Sequence, residues 1–419
     1  MPEKVFASII TIGDELLIGQ VIDTNSAWIA GELNRIGILL RHRIAVGDRA
    51  DDIRAALDAE SKKSSIVILT GGLGPTADDI TKPVLCDYFG GKMVRHEPTL
   101  QHLEYIFREI LKRPMIERNI KQADVPDVCT VLLNERGTAP GMLFKKEGVW
   151  FVSLPGVPHE MKWLMTEKVL PQLQAHFDTG IVVHRTLLTA GIGESFLAEM
   201  IADIENNLPE SIKLAYLPNY GMVRLRLSGW GTERETLEKE IQHQFDLLKE
   251  RVAKYLIIDE DIPLDKAVGQ LLISQKATVT TAESCTGGYI AHLLTSHAGS
   301  SAYYKGSIIC YDNQIKTKLL GVTESSLQEH GAVSASTVEQ MASAARQLME
   351  ADYAIAVSGI MGPGGATAEK PVGLVWIAVA SARGVKSQEM RFRFDRKRNI
   401  ELTAAHTLRL LFAEIVDNK

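Results

Sequence analysis

The sequence predicts an α/β protein with a doubly wound N-terminal domain over 1–170, a small α+β module over 171–258 and a second α/β domain over 259–419. Three observations carry this. An apolar run followed by a Gly-containing turn and a helical pattern recurs in the first segment, as expected of strands that open into loops on one edge of a parallel sheet. The texture then changes to short β-branched runs set between charged helical patterns. In the last segment, apolar helical stripes again alternate with buried-strand runs. At 419 residues the chain also exceeds what one hydrophobic core ordinarily supports.

In the first segment, Val5 to Ile12 reads as a strand that gives way to Gly13-Asp14-Glu15. Ile29, Leu33 and Ile36 recur at helical spacing. Ile66 to Leu69 opens into Thr70-Gly71-Gly72-Leu73-Gly74-Pro75-Thr76, and Trp150 to Leu154 opens into Pro155-Gly156-Val157-Pro158. The chemistry lies in these loops. Gly71, Gly72 and Gly74 can bring backbone amides close to a phosphate, and Asp78 and Asp79 offer hard oxygens of the kind that hold Mg²⁺ or Mn²⁺ against a pyrophosphate. Asp14 and Glu15 arrive from the neighbouring strand end. Asp-Asp before Ile80 reads equally well as a helix N-cap pair. His159-Glu160 lacks a second His four residues on and is expected to start a helix near the site.

The middle module is expected to place strands at Arg185 to Thr189 and Val223 to Leu227, with helices around Phe196 to Leu208 and Thr236 to Val252. Gly191-Ile192-Gly193 lacks the third glycine of a dinucleotide fingerprint and reads as a turn. In the last segment Leu264, Val268, Leu271 and Leu272 form a helical stripe. Ala354 to Val357 and Leu374 to Ala380 read as buried strands, and Leu408, Leu411, Phe412 and Ile415 mark a closing helix.

The most informative stretch is Ala277 to Gly288, where a β-branched run ends in Ser284-Cys285-Thr286-Gly287-Gly288 and a helical pattern follows. A hydroxyl at such a corner is exposed at the mouth of a sheet, beside helix-start amides expected to be unpaired and able to hold a phosphate or an oxyanion. Lys316 follows the strand-like run from Ser307 to Tyr311, and strand ends of a parallel sheet converge on one crevice. A lysine whose pKa is lowered by burial can serve as base to a serine. The same residues also read as an ordinary N-cap and turn. Cys285 is the alternative nucleophile, or else a small buried hydrophobe. His292 and His297 are expected to be surface or packing residues.

Hydrophobic residues make up 45% and charged residues 23% of the chain, and the net charge is −6. Small-molecule ligands are therefore expected, with neither nucleic acid nor membrane as partner. Cys86, Cys129, Cys285 and Cys310 form no Cys-x-x-Cys pair, so neither a zinc site nor a disulfide framework is expected. The opening apolar run lacks a basic leader pattern, and no later stretch approaches the length of a membrane span. A cytoplasmic protein is expected.

Six blocks carry a resemblance: Ala282-Glu283-Ser284-Cys285-Thr286-Gly287-Gly288; Ala298-Gly299-Ser300-Ser301; Tyr311-Asp312-Asn313 with Lys316; His330-Gly331-Ala332-Val333-Ser334; Ser358-Gly359-Ile360-Met361-Gly362-Pro363; and Glu369-Lys370-Pro371-Val372-Gly373. Together and in this order they resemble the CinA C-terminal domain, the nicotinamide mononucleotide deamidases. That resemblance implies hydrolysis of nicotinamide mononucleotide to nicotinate mononucleotide and ammonia, with no cofactor. It implies Ser284 as nucleophile, Lys316 as general base, and Thr286, Gly287, Gly288, Ser301, Tyr311, Asn313, Ser358, Gly359, Gly362 and Arg396 as substrate-binding residues. The pattern departs in two places. Phe394-Asp395-Arg396 stands where the family has Gly-Asp-Arg, and Ile400 stands where many members carry Arg. The contact is either missing or supplied by Arg396 or Arg398, whose alternative is a solvated helix start.

Gly13 to Gln20, Asp23-Thr24-Asn25-Ser26, Gly71 to Thr81 and Leu154 to Met161 resemble the molybdopterin-binding-like domain of CinA proteins, related to the MogA type. The resemblance implies a nucleotide site at Gly13, Asp14, Glu15, Asn25, Gly71, Gly72, Gly74, Thr76, Pro155 and Gly156. It implies a divalent metal (Mg, Mn or Co) at Asp78 and Asp79, and pyrophosphatase action on ADP-ribose. The middle module resembles a small KH-type domain, whose acidic content makes a spacer or dimer contact the expectation, and a homodimer is expected. A non-catalytic nucleotide sensor or scaffold and a molybdopterin-binding protein remain as alternatives.

Overall fold

The computed structural model describes residues 4–219 and 221–417. Packing gathers the chain into two compact units, one built mainly of the chain up to His184 with Leu208–Lys213 and Leu227–Gln244. The other holds Arg185–Asn207, Leu214–Arg226 and the chain from Phe245 onward.

The N-terminal sheet contains β1 (Phe6–Ile12), β2 (Leu39–Val46) and β3 (Ile66–Thr70). A separate ribbon pairs β4 (Met93–Arg95) with β5 (Asp124–Pro126). The main sheet is completed by β6 (Thr130–Leu132), β7 (Gly141–Lys146) and β8 (Val149–Leu154), in the order β2-β1-β3-β8-β7-β6. The first four strands in that order are parallel, and β7 and β6 run antiparallel. Their side chains alternate between two cores: Ala7, Ile9, Ile66 and Ile68 face one, and Ile10, Ile12, Val67 and Leu69 the other. Burial on both faces explains why these strands read as unbroken apolar runs. The register pairs Thr11 with Thr70 and Thr70 with Leu154. The loops that follow β1, β3 and β8 therefore share one edge, where the strand order turns about β1 and β3.

The middle module has β9 (Ile181–Ala190), β10 (Ile212–Asn219), β11 (Met222–Gly231) and β12 (Leu256–Ile258), in the order β10-β11-β9-β12. Its helices are Glu194–Asn206 and Arg234–Arg251. β9, β11 and both helices fall where the pattern placed them. β10 carries only one buried residue, and its run closes with Pro218-Asn219, which gave no strand signal.

The C-terminal sheet has β13 (Val279–Glu283), β14 (Tyr304–Ile309), β15 (Tyr353–Gly359), β16 (Leu374–Ser381) and β17 (Gly384–Arg391), in the order β14-β13-β15-β16-β17. β13 is parallel to β14 and β15, whereas β16 and β17 are antiparallel. Along β15, Ile355 and Val357 face one core while Ala354 and Ala356 face the other, which holds Val338, Met341 and Ala342 of helix Ala335–Leu348. Helices Leu264–Gln275 and Arg396–Val416 cover the first face through Val268, Leu272, Leu408 and Leu411. Among the described residues, no helix is long and apolar enough to cross a membrane.

Candidate functional site

In the C-terminal domain, β13 ends at Glu283 and the turn begins at once. The Ser284 amide donates to the Val357 carbonyl of β15 at 3.0 Å, and the Cys310 amide donates to the Glu283 carbonyl at 2.9 Å, so the Ser284 turn is tied to both flanking strands. The Ser284 side chain is 7% exposed, and its hydroxyl has no hydrogen-bond partner among the described residues. Lys316 lies in the first turn of helix Asn313–Leu320, capped by Asp312, and is 1% exposed. Helical side chains lean back toward the N-terminus. Its Nζ accordingly donates to the Tyr311 carbonyl at 3.1 Å, at the sheet edge that carries Ser284. No hydrogen bond joins Ser284 to Lys316 among the described residues. Burial, chiefly, pulls the Lys316 pKa below its usual value.

The turn differs from the expected helix start. Helix Tyr289–Thr295 begins only after Gly288, which sits at φ 98°, where a Cβ would also meet Ile309 at 2.9 Å. Its N-terminal amides are already satisfied. The Glu283 carboxylate, 1% exposed, accepts from Gly288 N at 3.0 Å, Ile290 N at 3.1 Å, Ala291 N at 2.8 Å, Thr286 Oγ1 at 2.6 Å and Thr281 Oγ1 at 3.2 Å. Gly287 N donates to the Ser284 carbonyl. Thus Gly287 and Gly288 are not donors to a ligand, contrary to expectation, because a strand-end carboxylate fills the anion position itself. The amides left without an acceptor among the described residues are those of Cys285 and Thr286. Glu283 was missed; its one signal is a carboxylate closing a fully buried strand.

Ser358 is buried on β15 and donates to the Ala332 carbonyl at 2.7 Å, and Gly359 follows it. Arg396 opens the last helix and donates to the Gly362 carbonyl at 2.9 Å and to Tyr311 Oη at 3.1 Å. That bridge gathers Arg396, Tyr311 and Gly362 beside Lys316. Ile400 packs against the core instead, and Asp395 caps the helix by accepting from Arg398 N. Asn313 is exposed at the start of the Lys316 helix.

Ser301 is a correction. It precedes β14, which starts opposite Val279, whereas Ser284 follows the far end of β13. At about 3.3 Å rise per residue, the strand holds the two roughly 15 Å or more apart. Cys285 sits in the hydrophobic core at 6% exposure, and burial pushes its thiol up to about 12. It packs as a small hydrophobe and offers no thiolate. His297 pairs with Asp265, away from the nucleophile.

In the N-terminal domain a cavity of about 410 Å³ opens at the loop edge, and Glu15, Asn25, Gly71, Gly72, Gly74, Asp79, Pro155 and Gly156 all line it. Gly71 adopts φ 115° with its would-be Cβ 2.2 Å from the Ile12 carbonyl, so only glycine fits. Asn25 Nδ2 donates to the Gly156 carbonyl at 2.7 Å and to Thr70 Oγ1 at 3.3 Å, which knits two loops together. Asp79 turns inward on its own loop, accepting from Gly74 N at 2.8 Å, Thr76 N at 2.8 Å and Thr76 Oγ1 at 2.5 Å. Of the Gly71-loop residues that line this cavity, Gly72 and Leu73 have amides with no acceptor among the described residues.

Gly13, Asp14, Thr76 and Asp78 do not line this cavity. Asp14 and Asp48 exchange backbone-to-carboxylate bonds, and Gly13 N donates to the Val46 carbonyl. Asp78 is exposed, and its pKa is lowered chiefly by the Thr76 side chain. Among the described residues no three His, Cys, Asp or Glu side chains gather to hold a metal ion. With both Asp79 oxygens engaged, a divalent ion is poorly fitted by Asp78 and Asp79 alone. Sequence reasoning missed Gln122 and Thr138 on the cavity wall, which Glu160, read as part of a helix start near the site, also lines. Glu160 accepts from Asn134 Nδ2 at 2.6 Å, and burial raises its pKa.

Residues 8–175 match the family described as a probable molybdopterin binding domain, 184–257 the damage-inducible protein CinA KH domain, and 261–415 the CinA C-terminal domain. A CinA-like protein of Cytophaga hutchinsonii is 48% identical over 419 residues, covering 100% of both chains. One of Flavobacterium psychrophilum is 43% identical over 413 residues, covering 98% of this chain and 99% of the relative. The crystal structure of a competence/damage inducible protein from Agrobacterium tumefaciens is 40% identical, covers 37% of this chain and 98% of that one, and superposes with a TM-score of 0.35. With full-length relatives at this identity and all three domains in order, the chain belongs to the CinA family.

Proposed function

We propose that the C-terminal domain hydrolyses the carboxamide of nicotinamide mononucleotide, giving nicotinate mononucleotide and ammonia. The observation that carries this reading is a fully buried lysine placed at one sheet edge with a serine hydroxyl, the lysine without a carboxylate partner and the hydroxyl without any partner among the described residues. Lys316 in its neutral form takes the Ser284 proton as Oγ bonds to the carboxamide carbon. The carbonyl oxygen gains charge toward the Cys285 and Thr286 amides, the turn donors left open among the described residues. Collapse breaks the C–N bond, with Lys316 returning the proton to the leaving ammonia, and water then cleaves the acyl-serine ester. The Lys316-to-Ser284 bond closes when substrate displaces Lys316 from the Tyr311 carbonyl, a tightening common in Michaelis complexes. Arg396, held beside Tyr311, receives the phosphate.

The N-terminal cavity is proposed to cleave the pyrophosphate of ADP-ribose, with the phosphate against the Gly72 and Leu73 amides. The divalent ion (Mg²⁺, Mn²⁺ or Co²⁺) is proposed to arrive on the substrate's phosphates, since no three ligating side chains gather among the described residues. The match of residues 8–175 to a molybdopterin binding domain favours a second reading, retention of a pterin nucleotide. A cytoplasmic homodimer acting on these small nucleotides, without nucleic acid or membrane, completes the proposal. Ammonia release from nicotinamide mononucleotide by the full chain, beside Ser284→Ala and Lys316→Ala, tests it. Release by the parent protein alone is expected, and release that survives Ser284→Ala overturns the nucleophile.

A further inference from the structure

Beside the main N-terminal cavity lies a second, of about 300 Å³, which shares Gly74, Pro75, Asp79 and Gln122 with it. Its own wall carries three cations, Lys82, Arg118 and Lys121. Lys82 is 7% exposed, and its Nζ donates to the carbonyls of Gln122 at 2.9 Å and Asp124 at 3.1 Å. An ammonium has three N–H groups, so one is left for the cavity that Lys82 lines. Burial brings its pKa down to about 8, which still leaves it mostly protonated at neutral pH. Arg118 and Lys121 are exposed and have no hydrogen bond or ion pair among the described residues. The two carboxylates that touch this cavity are engaged elsewhere, Asp79 by Gly74 and Thr76 and Asp124 by Arg95. A concave site thus holds three cations against two carboxylates, of which Asp124 is already paired with Arg95.

We propose that this second cavity is an anion subsite for the far side of a phosphoanhydride. One phosphoryl group lies against the Gly72 and Leu73 amides, and the next crosses the shared rim to Lys82, Arg118 and Lys121. The substrate class is then a nucleoside diphosphate bearing a further group, and a mononucleotide fills only the first cavity. The choice of substrate rests on the pyrophosphatase reading; the anion subsite does not.

The test titrates inorganic pyrophosphate and AMP into the full chain and measures ADP-ribose turnover. The variants are R118A/K121A, which alters only exposed side chains, and Lys82→Met. Pyrophosphate binding should weaken at least tenfold in R118A/K121A, AMP binding should stay within twofold, and KM for ADP-ribose should rise at least tenfold. Unchanged pyrophosphate affinity in R118A/K121A overturns the subsite even if Lys82→Met fails to fold. Turnover of ADP-ribose with an unchanged KM keeps the reaction and overturns the subsite. Charge-dependent pyrophosphate binding without any turnover keeps the subsite and refutes the reaction.

Discussion

Replacing Glu283 by Gln tests whether one carboxylate holds the nucleophile turn. Oε2 accepts from Thr286, Gly288 and Ile290, and Oε1 from Ala291 and Thr281. A glutamine that keeps the better-bonded oxygen places its NH₂ against the Ala291 amide, donor against donor. An orphaned buried donor costs about 1–3 kcal/mol, and losing a negative charge at a partly buried helix N-terminus costs up to about 2 kcal/mol more. Relief of the buried carboxylate's desolvation works the other way. The balance is a loss of about 2–3 kcal/mol, small against a typical domain stability of about 5–15 kcal/mol, so the variant stays folded. The urea midpoint of the C-terminal transition should fall by about 1 M for a slope near 2 kcal/mol per M. Ammonia release should drop at least tenfold, because Ser284 is next in the chain. A midpoint and a kcat both indistinguishable from the parent protein would refute the argument. Glu283→Ala, which strands every one of these donors, should be worse than Glu283→Gln on both readouts.

Burial lowers the Lys316 pKa, so the neutral amine gains population as pH rises and kcat/KM should climb with pH to a plateau below the 10.5 of a free lysine. Lys316→Arg, which cannot shed its proton, should be inactive across the profile; activity that survives there counts against the base. The folded chain binds fewer protons at Lys316 than the unfolded chain between the lowered value and 10.5, so this residue makes stability rise with pH across that window. Urea midpoints of Lys316→Met should lose that part of the slope. Cys285→Ala should keep kcat within about threefold, and thiol alkylation of the folded protein should spare this residue; rapid inactivation by alkylation at Cys285 would reopen the thiolate reading. Asp79→Ala frees the Gly74 and Thr76 amides and should raise KM for ADP-ribose about tenfold, as read by AMP production, with ammonia release unchanged.

Strands covered on both faces were legible. Ile66 to Leu69 and Ala354 to Val357 are apolar at every position because both side-chain rows are buried, and no other short element writes that pattern. The Gly71 loop and the Ser284 turn were legible through glycine and hydroxyl chemistry at strand ends. What a loop's amides do once folded was not. Glu283 and Asp79 each lie next to or within a motif, yet nothing in residue type says that a carboxylate will turn back onto its own turn. Ser301 shows a second blind spot: motif blocks close in sequence can lie at opposite ends of a parallel strand, since the chain must travel back before it pairs again. Gln122 and Thr138 join the N-terminal cavity from segments without any local signal, through tertiary placement alone.

The inward carboxylate of Glu283 also decides what the Ser284 turn refuses. A helix start beside a glycine turn ordinarily attracts any small dianion from solution. At Ser284 that berth is taken by a permanent tenant, and a free phosphate arriving there meets a buried negative charge in place of open amides. Only a weakly charged group that develops its charge late, such as an amide carbonyl under attack, finds the two remaining N–H groups without having to evict Glu283. Inorganic phosphate is therefore expected to compete poorly at the proposed nucleophile.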